Sequence, residues 1–165
     1  DIGKICVPLN ILKKTTPVTK TELNKLKHHS IAGYVLLSYY LRDADNFLAR
    51  VARDHHEKRD GSGYPGGIRL EDLMVEIVAV SDVYDALISS RPYRPVSYDN
   101  RAACEEITTM AERGGIKLEV VQALIAHNRK SKPHYSKCVI SKEKRSSPPA
   151  VNFYGVIEEE ENPSE

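Results

Sequence analysis

Apolar side chains recur at helical spacing along most of the chain, and the first such stretch opens with a helix-start signal. Thr19 is followed three residues later by Glu22, which is the pattern of a capping box, and apolar residues continue at helical intervals to about Leu41. A helix is therefore predicted to begin near Lys20. The pattern weakens near Ser30, so two short helices or one bent helix would both satisfy it.

The next helical stretch carries a histidine on its apolar face. Four residues follow the i, i+3, i+4, i+7 spacing of one helix face: Leu48, Val51, Ala52 and His55. Because residues on that face point toward the interior, we expect His55 to be buried. Residues 60–67 contain four glycines and a proline, so they are predicted to form a loop that ends the helix soon after His56.

A long apolar helix is predicted over residues 71–90. Acidic residues stand at its start and apolar residues lie nearly all round it, which is typical of a buried central helix, although Asp82 and Asp85 interrupt the apolar run. Two further helices follow, the first ending at the glycine pair 114–115 and the second beginning near Leu118. No convincing strand is predicted, and the fold class is all-α.

Composition changes after about residue 130. Residues 129–145 carry seven Lys or Arg against one Glu, and the chain then ends in an acidic run. We therefore predict one domain over residues 1–130 and a partly disordered tail, basic and then acidic, over residues 131–165. Residues 151–157 contain five apolar side chains and can alternatively pack as a short strand or a docked segment.

Length, charge and cysteine content exclude several classes of protein. The 165 residues suffice for one domain with a core, and a formal net charge of +1 provides no steering toward nucleic acid or a membrane surface. No apolar run approaches the roughly 18 residues that a membrane span requires. The three cysteines form no Cys-x-x-Cys pair, which argues against a disulfide framework and indicates a reducing compartment. We expect a cytoplasmic location, no nucleic-acid partner and no membrane segment within these 165 residues.

Several polar side chains adjoin apolar helical sequence, so we expect them to be buried and to require partners. They are His55, His56, Asp82 and Asp85. A hydrogen-bonded core position would satisfy one of them, and a metal ion would satisfy several together. Imidazole and carboxylate without thiolate favour divalent iron, manganese, zinc or nickel over a structural zinc site.

The segment around the adjacent histidines is similar to a known family signature. Residues 55–65, HHEKRDGSGYP, match the HHExxDGxGYP signature of the HD-GYP family without a gap or substitution. Four other segments also resemble that family, in its order: residues 1–5, 27–33, 80–87 and 91–94. The resemblance implies an HD-type helical bundle that is a metal-dependent phosphodiesterase, hydrolysing cyclic di-GMP to pGpG or GMP in bacterial signalling.

In that family a histidine stands immediately before the aspartate that Asp1 resembles, and further helices precede it. The resemblance therefore predicts a domain truncated at its amino end, which lacks part of the metal site. The sequence has no initiator Met and is expected to be an internal segment of a longer protein. Absent helices would leave apolar surface exposed, which favours a homodimer or aggregation.

The resemblance also implies roles for individual residues. Two or three divalent ions, most typically iron or manganese, would be held by five side chains: Asp1, His29, His55, His56 and Asp82. Asp1 would bridge ions, and Lys4 would meet the scissile phosphate and offset the charge that develops in the transition state. Both are predicted to be catalytic, with a water activated by the ions as the nucleophile.

Three further side chains are predicted to bind substrate together with Lys4. Arg91 and Arg94 resemble a basic pair that holds phosphates, a role suited to the planar fork of the guanidinium. Tyr64 is expected to stack on the ligand or donate a hydrogen bond to it. The loop that contains Tyr64 also resembles a contact surface for GGDEF-domain proteins.

Two alternatives to a cyclic di-GMP phosphodiesterase stay open. One is a catalytically inactive HD-GYP-like module for regulation or protein interaction. The other is an HD-type hydrolase of a different phosphoester. The intact GYP string and the arginine pair favour the cyclic dinucleotide over a simple mononucleotide.

Overall fold

The structure is a computed structural model that describes residues 1–141 and 143–159. Within these ranges the chain forms seven α-helices and two short strands, in this order: α1 (Leu9–Leu12), β1 (Val18–Thr19), α2 (Lys20–Lys27), α3 (His29–Leu41), α4 (Phe47–Asp54), α5 (Leu73–Ile88), α6 (Asn100–Glu112), α7 (Leu118–Asn128) and β2 (Ile157–Glu158). Two 3-10 helices, Ile2–Cys6 and Tyr135–Lys137, accompany them. The helical fold class is confirmed. The end of the predicted acidic run, residues 160–165, lies outside the described residues.

Helix α2 begins at Lys20, as the capping box predicts. The Thr19 hydroxyl accepts a hydrogen bond from the Glu22 amide at 3.2 Å, and the Glu22 carboxylate accepts one from the Thr19 amide at 2.8 Å. These bonds satisfy amide groups that have no partner inside the helix. Helices α2 and α3 are separate, with the break at His28. The two-helix alternative is therefore confirmed.

The main hydrophobic core lies between α5, α6 and α7. Its central buried side chains are Val80, Ile107, Ile116, Val120 and Val121. A second packed unit consists of α3, α4 and the 3-10 helix Ile2–Cys6, where the small side chains of Ala49 and Ala52 are buried between the elements. This second unit contains most of the side chains predicted to bind metal.

Helix α5 is less buried than its apolar sequence predicts. Val75, Glu76 and Val80 are buried, but four apolar side chains are exposed: Leu73, Met74, Ile77 and Val78. The prediction of a helix buried nearly all round is therefore wrong, because α4, α6 and α7 pack against only part of its circumference. No helix in the described ranges combines the length and the apolar character needed to cross a membrane.

The two strands join the C-terminal segment to the start of α2. They pair in parallel, with Val18 opposite Ile157 and Thr19 opposite Glu158. The prediction that the chain contains no strand is wrong, and the alternative of a short strand near residue 157 is confirmed. A two-residue strand is too short for alternating polarity to develop, so the pairing depends on contacts between distant segments.

Candidate metal centre

Three histidines from two parts of the chain converge beside the start of α3. His29 is the first residue of α3, whereas His55 and His56 directly follow α4. The Nε2 atom of His29 lies 3.2 Å from Nε2 of His56 and 3.4 Å from Nε2 of His55. Two nitrogen atoms bound to one ion at about 2.1 Å each cannot be more than about 4.2 Å apart, so these separations suit ligands of a shared cation.

Hydrogen bonds to the backbone determine which ring nitrogens face one another. Nδ1 of His29 donates to the Leu26 carbonyl oxygen at 2.6 Å, and Nδ1 of His55 donates to the carbonyl oxygens of Val51 and Ala52, both at 3.0 Å. Carbonyl oxygens only accept, so in the neutral rings both Nε2 atoms carry lone pairs. Two such lone pairs directed at each other repel, and a cation between them would remove that repulsion.

Burial keeps these imidazoles neutral. It lowers the pKa of His29 and of His55, and it lowers the pKa of His56 to about 2, with further contributions from the neighbouring histidines. Neutral imidazole is the form that binds a metal ion. The three rings are therefore ready to accept a cation without first losing protons.

Asp1 adds a carboxylate to the three histidines. One oxygen, Oδ1, lies 3.5 Å from Nε2 of His29 and 3.8 Å from Nε2 of His55. The other oxygen, Oδ2, accepts a hydrogen bond from Lys4 Nζ at 2.6 Å. A carboxylate oxygen and neutral imidazole nitrogens are all electron-pair donors, so their convergence fits a divalent cation. We call His29, His55, His56 and Asp1 the donor cluster.

A close backbone approach holds Asp1 against α3. Gly3 is buried, and a Cβ atom at that position would lie 2.0 Å from the His29 carbonyl oxygen and 2.4 Å from the Gly33 amide nitrogen. Only glycine permits this packing of the 3-10 helix on α3. Both glycines belong to segments that resemble the family, and their contact explains the need for small residues at these positions.

Asp82, on α5, interacts electrostatically with the donor cluster, whereas Asp85 pairs with Arg91 at the surface. The charge of Asp82 acts on both His55 and Lys4, where it favours the protonated forms. Asp85 has a side chain that is 67% exposed and that pairs with Arg91 at 3.0 Å. The expectation that Asp85 is buried is therefore wrong, because α5 presents that position to solvent.

Lys4 bonds to the donor cluster and interacts electrostatically with the loop of residues 91–94. Burial lowers the pKa of the Lys4 ammonium group, while the charge of Asp82 opposes that shift and the charge of Arg91 adds to it. Lys4 also interacts electrostatically with Tyr93 in the same loop. A cation in this position can meet an anionic ligand that reaches from the donor cluster toward residues 91–94.

Tyr64 packs directly on one of the clustered histidines. Its ring stacks on the His56 ring with centroids 4.5 Å apart, and its amide donates to the His56 carbonyl oxygen at 3.2 Å. Lys27 Nζ lies 5.2 Å from the centre of the Tyr64 ring. The half-buried Tyr64 therefore orients His56, and its remaining surface borders the donor cluster.

Glu57 anchors the loop that carries Tyr64, a role that sequence analysis missed. This carboxylate is buried and accepts hydrogen bonds from the amides of Gly66, Gly67 and Ile68 at 2.6, 3.1 and 3.1 Å. The loop also includes a cis peptide bond between Tyr64 and Pro65. The sequence feature that indicated a role for Glu57 was its position directly after His56 in the signature segment.

The two arginines predicted to bind substrate occupy different environments. Arg94 is buried, and its guanidinium Nη2 donates to the carbonyl oxygens of Ala86, Leu87 and Ser89 at the end of α5. These contacts favour a structural role for Arg94 and do not support the predicted substrate contact. Arg91 is partly exposed, and it is the arginine of this pair that a ligand can reach.

Comparison with known proteins supports the relationship that these segments suggest. The chain is 46% identical over 96 residues to a cyclic di-GMP phosphodiesterase response regulator of Xanthomonas campestris, and that region is 57% of this chain and 25% of the relative. It is 41% identical over 96 residues to a cyclic di-GMP phosphodiesterase of Thermotoga maritima, and that region is 57% of this chain and 26% of the relative. It is 40% identical over 96 residues to a 3'3'-cGAMP-specific phosphodiesterase of Vibrio cholerae, and that region is 57% of this chain and 20% of the relative.

The matched region thus spans about a quarter of the length of such relatives. A broader match, to the family described as HD domain, covers residues 1–116. That range includes the donor cluster, Lys4, Asp82 and the loop that contains Arg91. The chain therefore belongs to the HD domain family, and its signature segments place it in the HD-GYP group of that family.

Proposed function

We propose that this chain contains the catalytic unit of a metal-dependent phosphodiesterase that hydrolyses cyclic di-GMP to pGpG or GMP. The observation that carries the proposal is the convergence of three imidazole Nε2 atoms and the Asp1 carboxylate next to the Lys4 ammonium group. Relatives with 46% and 41% identity are named cyclic di-GMP phosphodiesterases, which supports the choice of substrate.

The donor cluster and Asp82 would hold two or three divalent ions, with iron or manganese as the proposed identity. When bound, such ions supply a nucleophile at neutral pH and offset the charge on phosphate oxygens. His29 and His55 would present Nε2 because their Nδ1 atoms donate to backbone carbonyls. Asp1 would connect the ligand set to Lys4 through its second oxygen.

Lys4, Tyr64 and Arg91 would hold the substrate around that centre. Lys4 would bind the scissile phosphate and stabilise the additional negative charge of the transition state. Arg91 can bind a second phosphate through a bidentate contact after it releases Asp85, with which it now pairs at the surface. Tyr64 would border the ligand while its ring keeps His56 oriented.

The test combines metal content with product analysis. The full chain is purified without oxygen, loaded with Fe²⁺ or Mn²⁺, and incubated with cyclic di-GMP, and the products are separated by anion exchange. We expect at least two bound ions and formation of pGpG or GMP. His29→Ala should lose both metal and activity, whereas His127→Ala, at an exposed position of α7, should lose neither. A parent chain that binds no metal and forms no product would overturn the proposal and favour a regulatory module.

A second candidate substrate is 3'3'-cGAMP, because relatives with 40%, 32% and 36% identity are named 3'3'-cGAMP-specific phosphodiesterases. The two cyclic dinucleotides share the phosphodiester linkage and differ in one base. The ratio of kcat/KM for the two substrates decides between them. A ratio above one for cyclic di-GMP supports the main proposal, and a ratio below one supports this alternative.

Further expectations from the sequence accompany the proposal. We propose that the loop of residues 60–67 contacts GGDEF-domain proteins, since several of its residues are exposed, and that the exposed apolar face of α5 forms a homodimer. We also propose residues 1–130 as the domain and residues 131–165 as its tail. Binding of a purified GGDEF domain and sedimentation velocity test the first two, and limited proteolysis tests the third.

A further inference from the structure

The C-terminal segment returns to the helical domain and crosses it. We call residues 143–159 the strap. At its start, Lys144 Nζ donates to Thr109 Oγ1 at 2.7 Å, and the Arg145 amide donates to the Glu105 carboxylate at 3.1 Å. At its end, strand β2 pairs with β1, and Glu158 lies 3.7 Å from Lys14 Nζ. The strap therefore runs from α6 to the start of α2.

Between these ends the strap is attached to the loop of residues 91–98. The Phe153 amide donates to the Tyr93 carbonyl oxygen at 3.1 Å, and the Asn152 side chain reaches the Tyr98 hydroxyl at 3.5 Å. The rings of Tyr154 and Tyr93 lie 5.9 Å apart between centroids, at an angle of 36°. These contacts hold the backbone of Tyr154 at a defined position beside Tyr93.

Tyr154 is linked to the candidate metal centre through its ring contact with Tyr93 and through electrostatic interactions. Tyr93 stands in the same loop as Arg91, and it lies within electrostatic range of Lys4, whose ammonium group bonds Asp1 in the donor cluster. The Tyr154 hydroxyl is in turn within electrostatic range of Tyr93 and of Asp82. The strap thus brings an aromatic ring to the edge of the site that Lys4 and Arg91 define.

The backbone around Tyr154 is fixed by hydrogen bonds of neighbouring residues, whereas Tyr154 itself is exposed to solvent. Tyr154 is 73% exposed, although the neighbouring Phe153 bonds to Tyr93 and the strap is paired with β1 three residues later, at Ile157. An exposed ring whose backbone is already ordered loses little further entropy when a planar ligand stacks on it. Stacking on aromatic side chains is a common way to bind nucleobases.

We propose that Tyr154 is a substrate-binding residue, which stacks on one base of the cyclic dinucleotide while the phosphates lie against Lys4 and Arg91. The proposal rests on the proposed phosphodiesterase function. It adds a ligand contact from a segment outside residues 1–116, the range that matches the HD domain family. Base stacking predicts that Tyr154 contributes to binding of the nucleobase. It predicts no effect on the cleavage of a phosphodiester that lacks aromatic groups.

The experiment compares Tyr154→Ala and Tyr154→Phe in the metal-loaded full chain. Two quantities are measured: the steady-state kinetics of cyclic di-GMP hydrolysis and the bound metal content. We expect Tyr154→Ala to raise the KM for cyclic di-GMP about tenfold, equivalent to about 1.4 kcal/mol, as expected for loss of one stacked base. Tyr154→Phe keeps the ring and should stay within about twofold of the parent chain.

Two controls separate this effect from general damage. Neither Tyr154 variant should change the bound metal content, because Tyr154 contributes no ligand to the donor cluster. Tyr39→Ala removes another tyrosine ring, at a residue that is 77% exposed and near the far end of α3, and should leave both the KM and the metal content unchanged. Thermal unfolding of each variant shows whether the domain remains folded.

The outcomes distinguish this proposal from the proposed function. If the parent chain cleaves cyclic di-GMP and Tyr154→Ala has the parent KM, Tyr154 does not bind the base, and only the present proposal fails. A lower KM in Tyr154→Ala would mean that the strap obstructs the site, which also overturns the proposal. If the parent chain cleaves neither cyclic di-GMP nor 3'3'-cGAMP, the phosphodiesterase function itself fails, and this proposal fails with it.

Discussion

Gly3 packs so tightly on α3 that a Cβ atom at its position would lie 2.0 Å from the carbonyl oxygen of His29. The 3-10 helix that contains Gly3 also carries Lys4, and Asp1 directly precedes its first residue. One backbone contact therefore sets the separation between the Asp1 carboxylate and the His29 imidazole. The donor cluster depends on this contact because its members come from separate elements.

Gly3→Ala should separate Asp1 from α3. The added methyl group meets backbone atoms, which cannot rotate away, so we expect a loss of about 2–3 kcal/mol in the free energy of unfolding and weaker metal binding. Gly33→Ala is the milder comparison. Its added Cβ atom would lie 3.3 Å from the Gly3 amide nitrogen, so the backbone needs to shift only slightly. Urea unfolding and metal titration measure both effects. Equal effects of the two substitutions would contradict this account.

Metal binding should stabilise the fold through the donor cluster. A cation present at about 100 times its dissociation constant adds about 2.7 kcal/mol to the free energy of unfolding. We therefore expect Mn²⁺ to raise the Tm of the parent chain, and EDTA to reverse the increase. The same titration on His56→Ala should give a much smaller rise, while His127→Ala should behave like the parent. A rise of equal size in all three chains would indicate binding elsewhere.

Substitution of Arg94 should lower the stability of the fold, whereas substitution of Arg91 should weaken substrate binding. Arg94→Ala removes the donor that three carbonyl oxygens at the end of α5 share, and it removes a buried side chain. We therefore expect a loss of about 2 kcal/mol in the free energy of unfolding. Arg91→Ala breaks only a surface pair and should leave Tm nearly unchanged while raising the KM for cyclic di-GMP. Thermal unfolding and steady-state kinetics separate the two roles. The opposite pattern would restore Arg94 as the substrate contact.

The capping box at Glu22 should make stability depend on pH in acid. A hydrogen bond from Lys14 at 2.6 Å, followed by the one from the Thr19 amide, holds the pKa of Glu22 below its ordinary value of 4.5. Because the folded pKa is depressed, the stabilisation is present above the unfolded-state pKa and is lost as pH falls through the folded pKa. Glu22→Gln should therefore be less stable than the parent near pH 7, and the difference should shrink in acid.

Chemical unfolding at several pH values measures this difference. Glu119→Gln removes one negative charge at an exposed position of α7, away from α2, and controls for the change in net charge. If the difference between the parent chain and Glu22→Gln is the same at pH 3 and pH 7, the ionised carboxylate is not the source of the stabilisation.

Local patterns were enough to predict much of the helical framework. The capping box at Thr19 gave the start of α2, because its hydrogen bonds join residues three positions apart. The loop of residues 60–67 followed from its glycines and proline, and the inward position of His55 followed from helical spacing. Such features depend on neighbours in the chain, and neighbours are what a sequence displays directly.

Resemblance to a family supplied the candidate ligands, but their arrangement required the tertiary structure. His29 and His56 are 27 residues apart in sequence and have Nε2 atoms 3.2 Å apart. The buried role of Arg94 depends on where the loop after α5 turns, and the exposed face of α5 depends on which helices pack against it. The return of the strap to β1 brings together segments that are far apart in the chain.

The amino-acid sequence by itself thus determined the helical class, the main helix and loop positions and the residue types available for chemistry. Only the tertiary structure decided which of those side chains share a site, and which of them hold the fold together instead. The reason is physical: helix periodicity and capping are short-range, whereas a ligand set, a buried guanidinium and a docked strap depend on long-range packing that no local pattern encodes.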